Sequence, residues 1–211
     1  MLSLSLASTS TLPEAVDYSL LSAYRRERLR SIKNRDKYRQ SLGAELLLIK
    51  ELKAWGGAEP PLDIRPGPGG KPRLEEGPCF SLSHSGEMLL CALSDRAVGA
   101  DVQRLTPYRP ELARRFFTAK ECAWLDGQKR PGEAFSLLWS LKESYAKMLG
   151  RGIAGTHFAS FSVDVESGGR AFVPGSGAGL RYGFIEGYVL SLCSDGGEPP
   201  FEPEIISLAD A

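Results

Sequence analysis

Leu2, Leu4 and Leu6 alternate with Ser3 and Ser5, the period-two pattern of a half-buried strand. The pattern then lengthens. Residues 14–55 predict two helices, Glu14–Arg30 and Asp36–Trp55. The second carries Leu42, Leu46, Ile49 and Leu52 at helical spacing and stops at Gly56-Gly57. Residues 58–78 are rich in Pro and Gly and read as loop, with short extended pieces at Leu62–Arg65 and Lys71–Leu74. Cys79–Ser85 and Met88–Leu93 predict strands around a turn at Gly86, and Ala97–Val102 another strand.

After Asp101 the order starts again. The strand Val98–Val102 is followed by predicted helices at Pro110–Phe117, Ala119–Gly127 and Glu133–Leu149. Strands follow at Phe158–Val165, Arg170–Val173, Leu180–Glu186 and Tyr188–Ser194. Strand, helices, strands is also the order of the first half. No residue-level repeat accompanies it, so the duplication rests on element order alone. The boundary falls near residues 99–105, giving halves of 1–100 and 101–211. A cleft between two such halves is a natural ligand site.

The helix around Trp139-Ser140-Leu141-Lys142-Glu143-Ser144-Tyr145-Ala146-Lys147 has no Gly or Pro between Ala134 and Leu149, and Gly150 ends it. Helical spacing puts Trp139, Glu143 and Lys147 on one face. Alone, that is an amphipathic helix with one Glu–Lys pair, worth roughly 0.2–0.5 kcal/mol.

Composition narrows the classes. The 211 residues hold 26 Lys+Arg and 26 Asp+Glu, so the chain is neutral, which weighs against a general nucleic-acid binder. Charge is nevertheless clustered: residues 24–39 carry Arg25, Arg26, Arg28, Arg30, Lys33, Arg35, Lys37 and Arg39 against Glu27 and Asp36. A local basic patch in a neutral chain points to a discrete anionic ligand. Cys79, Cys91, Cys122 and Cys193 form no metal-type pair, and a reducing cytoplasm fits them. The apolar start lacks a basic region and a cleavage site, and no run approaches ~20 apolar residues, so neither a signal peptide nor a membrane span is expected.

Three further stretches carry candidate chemistry. Ser81-Leu82-Ser83-His84-Ser85 places hydroxyls and an imidazole at a strand end, suited to phosphate oxygens or to ordinary turn bonding. In Val98-Gly99-Ala100-Asp101-Val102-Gln103 a carboxylate sits in an apolar strand and needs a cation, either a metal or a basic side chain. Gly69-Gly70-Lys71-Pro72 can hold a Lys against an anion. Carboxylates from two elements, Asp101 and Glu143, suit a hard cation that shares substrate phosphates.

In that order the chain resembles the 4′-phosphopantetheinyl transferase superfamily, in its surfactin-synthetase-type single-chain branch. The matching stretches are Gly70-Lys71-Pro72, Ser81–Ser85, Val98–Val102, Arg115-Phe116-Phe117-Thr118-Ala119-Lys120-Glu121 and Leu138–Lys147. The match runs from about Gly70 to Ile153 and extends weakly on both sides. The resemblance implies an α+β (α/β) fold: a pseudo-twofold pair of similar subdomains, each a small antiparallel sheet packed with helices, with the ligand cleft between them. It implies Mg²⁺-dependent transfer of 4′-phosphopantetheine from coenzyme A to a serine of an acyl, polyketide or peptidyl carrier protein, releasing adenosine 3′,5′-bisphosphate. A cytoplasmic monomer without nucleic-acid or membrane partners is expected.

By position, the resemblance makes Asp101 and Glu143 the Mg²⁺ ligands, with Gln103 offering a carbonyl where many members have a second acid. Glu143 becomes the base for the carrier serine, and Lys147 neutralises the departing phosphate. Trp139 supports the site by packing. Ser83 and His84 meet phosphates, Lys71 and Pro72 the adenine and ribose-phosphate end, and Arg39, Arg25, Arg28 and Lys142 are further coenzyme contacts. Phe116 and Phe117 are expected in the core. Arg114, Arg115 and Lys120 are expected on the surface, where an acidic carrier could dock. Two rivals use the same residues: a Mg²⁺-dependent hydrolase of nucleotide diphosphates, and a coenzyme A or carrier-binding module without transfer. No P-loop is present, which argues against an ordinary kinase or ATPase.

Overall fold

The computed structural model describes residues 1–67, 69–151 and 157–209; Ile153, where the resembling stretch ends, lies outside them. The first half runs β1 (Leu2–Ser8), α1 (Ala23–Ser31), α2 (Arg35–Trp55), a small hairpin of β2 (Ile64–Pro66) and β3 (Pro72–Leu74), then β4 (Cys79–Ser85) and β5 (Met88–Ser94). The second half runs β6 (Val98–Arg104), α3 (Pro110–Phe116), α4 (Ala119–Asp126), α5 (Pro131–Met148), β7 (Asp164–Val165), β8 (Arg170–Phe172), β9 (Gly179–Ile185) and β10 (Tyr188–Ser194). A last short strand, β11 (Glu204–Ile205), follows. The mixed α+β class expected from the sequence is the one observed.

Two expected elements differ. Residues 14–30 are not one helix. Asp17 accepts from the Ser19 N–H and starts a separate 3-10 turn, Tyr18–Leu20, and Ser22 then caps α1 by accepting from the Arg25 N–H. Side-chain oxygens that capture backbone donors this way set where a helix starts. Residues 158–165 are not one strand either. Phe158–Ser160 is a 3-10 turn, and the carbonyls of Phe158 and Phe161 are taken by a buried lysine rather than by a neighbouring strand.

The duplication is visible in strand register. β1 pairs antiparallel with β5 from Leu2↔Ser94 to Ser8↔Met88, and β6 pairs with β10 from Val98↔Ser194 to Arg104↔Tyr188. β4 pairs with β5 from Cys79↔Ser94, and β9 with β10 from Gly179↔Ser194. The two halves thus share one pairing pattern. Ser5, opposite Cys91, holds the place that Asp101 holds opposite Ser191; Gly183, opposite Leu190, holds the place of Ser83 opposite Leu90. The carboxylate and the hydroxyl thus come from different halves, Asp101 from the second and Ser83 from the first, and their counterparts Ser5 and Gly183 supply neither a carboxylate nor, at 183, a side chain.

Alternation along these strands builds the layers. Leu4, Leu6, Leu90, Ala92, Val98, Ala100, Val102, Leu190 and Leu192 form a shared core between the sheets. On the other faces, α2 covers Leu89, Cys91 and Leu93, while α5 covers Val189 and Cys193. Where β4 meets β6 there is no backbone ladder. Serines join them instead: Ser81 Oγ accepts from Ala100 N–H at 2.9 Å and Ser85 Oγ from Arg104 N–H at 3.0 Å. At the corresponding place by Gly183 lies Phe201, and a Cβ on Gly183 would stand 2.9 Å from its ring. Three residues on, β11 pairs parallel with β1, so the C-terminal segment crosses the expected division at residue 100.

Candidate active site

The site depends on how closely α5 crosses β6. Gly99 sets this approach: a Cβ there would lie 1.9 Å from the Ser144 carbonyl oxygen and 2.4 Å from the Met148 nitrogen. Small residues continue the contact. Ser140 Oγ donates to the Asp101 carbonyl at 3.3 Å, and Ser191 Oγ donates to the Ser140 carbonyl at 2.8 Å. Asp101, two residues past Gly99 on the same face of β6, therefore meets the turn of α5 that carries Glu143 and Lys147.

Asp101 is 5% exposed. Its Oδ1 accepts from Lys147 Nζ at 2.7 Å and from Ser83 Oγ at 2.7 Å, and its Oδ2 is buried with no partner. Lys147 Nζ also reaches Ser83 Oγ at 2.9 Å and the Ala100 carbonyl at 3.1 Å. The cation that the Asp in an apolar strand required is thus Lys147. The Glu143–Lys147 pair suggested by helical spacing does not form among the described residues. Glu143 is buried and has no hydrogen bond among them. Burial pushes its carboxyl up to about 7; the Asp101 charge adds to this and Lys147 opposes it. An orphaned carboxylate oxygen beside a second, unpaired carboxyl is a place short of positive charge, and oxygen donors of this kind fit a hard divalent cation. No cluster of three or more His, Cys, Asp or Glu converges among the described residues, so water or substrate oxygens would complete such a shell.

Cavities flank this centre on both sides. One, of about 210 Å³, is lined by Gly70, Lys71, Pro72, Ser81, Leu82 and Lys147 among others. Lys71 Nζ donates to the Val98 carbonyl at 2.6 Å; burial pushes its ammonium down to about 8, and the Lys147 charge acts the same way. The other, of about 220 Å³, is lined by Gln103, Thr106, Arg109, Phe135, Ser136 and Trp139. Gln103 is therefore on the Asp101 face of β6 but one pair further along, against the Trp139 end of α5. Trp139 packs edge-on against Phe116 at 5.3 Å and Phe158 at 5.9 Å.

His84 opens to solvent beside the centre. Its protein surroundings and then the charges of Lys147, Arg25 and Arg28 lower its pKa, so the imidazole is neutral at pH 7. Of these cations Lys147 is met by Asp101 and Arg25 by Glu45, and Arg28 is without an acidic partner among the described residues.

Other expected contacts are engaged elsewhere. Arg25 is buried, with Nε on Glu45 Oε2 at 2.9 Å and Nη1 on Ser41 Oγ at 2.8 Å, so its guanidinium is committed to α2. Arg39 donates to the Thr9 carbonyl at 2.6 Å. Arg28 is exposed and has no side-chain partner among the described residues. Lys142 does not reach the Asp101–Lys147 centre. It is fully buried on another face of α5, paired with Glu121 at 2.9 Å. A one-residue step along a helix turns the side chain by about 100°, so Lys142 and Glu143 cannot share a site. The expectation of Lys142 as a coenzyme contact is corrected by that burial. Sequence reasoning also missed Gly99 and the brace on Lys142. The signal for the brace was available: Thr118-Ala119-Lys120-Glu121 is a capping box, and both of its bonds form.

A sequence profile described as "4'-phosphopantetheinyl transferase superfamily" matches residues 97–193, from β6 to β10. A "4'-phosphopantetheinyl transferase" of Bacillus subtilis is 31% identical over 159 residues, covering 72% of this chain and 70% of that protein. "4'-phosphopantetheinyl transferase Sfp" of Bacillus subtilis (strain 168) is 31% identical over 145 residues, covering 64% and 63%. A holo-(acyl-carrier-protein) synthase structure from Bacillus anthracis superposes with a TM-score of 0.40 at 22% identity, over 46% of this chain and 92% of that one. With the α5–β6 site inside the matched segment, the chain belongs to the 4′-phosphopantetheinyl transferase superfamily, in its Sfp-like branch.

Proposed function

We propose that the chain transfers the 4′-phosphopantetheine group of coenzyme A to a serine hydroxyl of an acyl, polyketide or peptidyl carrier protein. The observation that carries this reading is the pairing of a partnerless Glu143 with the orphaned Oδ2 of Asp101, beside the Lys147 ammonium. Family membership supplies the substrate class.

Asp101 and Glu143 would hold a Mg²⁺, which supplies charge neutralisation for a diphosphate. Lys71, His84 and Arg28 are the groups for the phosphate-rich nucleotide end. Glu143, directly or through water, takes the proton of the serine hydroxyl, which is a poor nucleophile until it does. The serine oxygen bonds to the phosphorus nearer the pantetheine arm. The bond from that phosphorus to the bridging oxygen breaks, and the bridging oxygen leaves on adenosine 3′,5′-bisphosphate with its charge met by Lys147.

Chromatography of the nucleotide products separates this reading from its rivals. Release of adenosine 3′,5′-bisphosphate that requires an apo carrier protein supports transfer. Release from coenzyme A alone indicates a hydrolase, and no release indicates a binding module.

Two predictions follow from single residues. Coenzyme A affinity should fall as pH rises through about 8, where Lys71 loses its proton. Loss of one charge-assisted contact amounts to roughly tenfold between pH 7 and 9. Calorimetry should show that slope vanish in Lys71→Met. Gln103→Glu should lower the Mg²⁺ concentration needed for half-maximal binding, by adding a charge on the Asp101 face of β6. An unchanged Mg²⁺ titration would remove Gln103 from the metal site.

A further inference from the structure

The most deeply buried charges in the second half take no part in the chemistry above. Lys142 is 0% exposed and Glu121 2%. Lys142 Nζ lies 2.9 Å from Glu121 Oε1, donates to the Phe158 carbonyl at 2.7 Å and the Phe161 carbonyl at 2.6 Å, and sits 4.2 Å from the Phe161 ring centre. All its donors are used. Glu121 is equally committed: Oε2 accepts from the Thr118 N–H and hydroxyl, and Oε1 accepts from the Val163 N–H.

One ammonium thus ties three segments together: α5, the start of α4, and the chain from Phe158 to Val163. A buried ion pair is a weak source of stability, because desolvating both charges offsets most of their attraction. It does, however, permit only one arrangement. Lys142 precedes Glu143 directly, so whatever fixes Lys142 about the helix axis also fixes where Glu143 points. On the opposite flank, the same helix turn packs on Gly99 without room for a Cβ.

We infer that Lys142 is a positioning residue for the transfer reaction: its clamp on Glu121 and on the Phe158 and Phe161 carbonyls sets the rotation of α5 that aims Glu143 and Lys147 at Asp101. This rests on the transfer reading above. It assigns Lys142 no contact with coenzyme A.

The test compares wild type with Lys142→Met, Lys142→Arg and the double variant Glu121→Gln/Lys142→Met. Each is assayed below its own melting temperature, with folding checked by circular dichroism. Coenzyme A binding is read by calorimetry, and turnover by carrier modification at saturating coenzyme. The expected result for Lys142→Met is turnover lowered tenfold or more with coenzyme binding changed less than twofold. Lys142→Arg should recover part of that turnover. If Lys142→Met does not fold, the double variant, which leaves no unpaired charge, carries the same expectation. Weakened coenzyme binding with intact turnover at saturation would make Lys142 a ligand contact and overturn the inference. So would full turnover in a folded variant that lacks the ammonium. An inactive wild type would instead refute the transfer reading, and the two failures are told apart by that control.

Discussion

Glu143→Gln should lower transfer by roughly 10²–10⁴-fold, the span of a lost general base, and should not destabilise the protein at pH 8. Both effects come from one geometry. The Glu143 carboxyl is buried, lacks a hydrogen-bond partner among the described residues and faces the charge of Asp101, which together hold its pKa at about 7 against an ordinary 4.5. A carboxyl raised on folding binds more protons in the native state than in the unfolded one between those two values. Stability therefore falls as pH rises from about 4.5 to about 7. The shift amounts to about 3 kcal/mol once both states are ionised. The Gln variant escapes that loss, so its melting temperature should exceed the wild-type value at pH 8 and match it near pH 4. Mg²⁺ at pH 8 should raise the wild-type melting temperature and leave the variant unmoved. A variant that melts well below wild type at pH 8 would show that Glu143 is a structural group.

Gly99→Ala should be severely disruptive. The added Cβ would meet two backbone atoms, the Ser144 oxygen at 1.9 Å and the Met148 nitrogen at 2.4 Å. Neither can rotate away as a side chain would, so α5 must lift from β6. Overpacking of this kind costs about 3 kcal/mol or more. The displacement would also separate Lys147 from Asp101, now 2.7 Å apart. Transfer should be lost even where the variant remains folded. Gly127→Ala is the control: its nearest neighbour would be 3.6 Å away and its backbone is right-handed. Chemical denaturation should leave that control within about 0.5 kcal/mol of wild type.

The sequence made parts of this architecture legible and hid others. α5 was readable because its apolar spacing runs unbroken from Ala134 and Gly150 ends it; its real start, at Pro131, is a proline at the first helical position. β4, β5, β9 and β10 were readable from flanking turns. The site's separate pieces, Asp101, Glu143 and Lys147, stood out as charges in apolar surroundings. Their meeting was implied by the family resemblance and not by periodicity. Asp101 and Glu143 are joined only by the crossing of α5 over β6, which depends on Gly99. The same limit explains Lys142: periodicity gives its angle from Glu143 but not which side of the helix is buried. The duplication was legible as element order only; at the level of single positions it survives in register, where Ser5 answers to Asp101 and Gly183 to Ser83, and not in residue identity. The helix expected over residues 14–30 failed for a local reason, since Asp17 and Ser22 capture the backbone donors first.

We propose that the α5–β6 centre moves a phosphopantetheine arm onto a carrier serine. Intact-mass spectrometry of an apo carrier protein tests it most directly, with coenzyme A, Mg²⁺ and either wild-type enzyme or Glu143→Gln. Wild type should add the mass of one phosphopantetheine arm to the carrier serine, and the variant should add none in the same time. A panel of folded apo acyl, polyketide and peptidyl carriers left unmodified by folded wild-type enzyme would contradict it, as would equal modification by both enzymes.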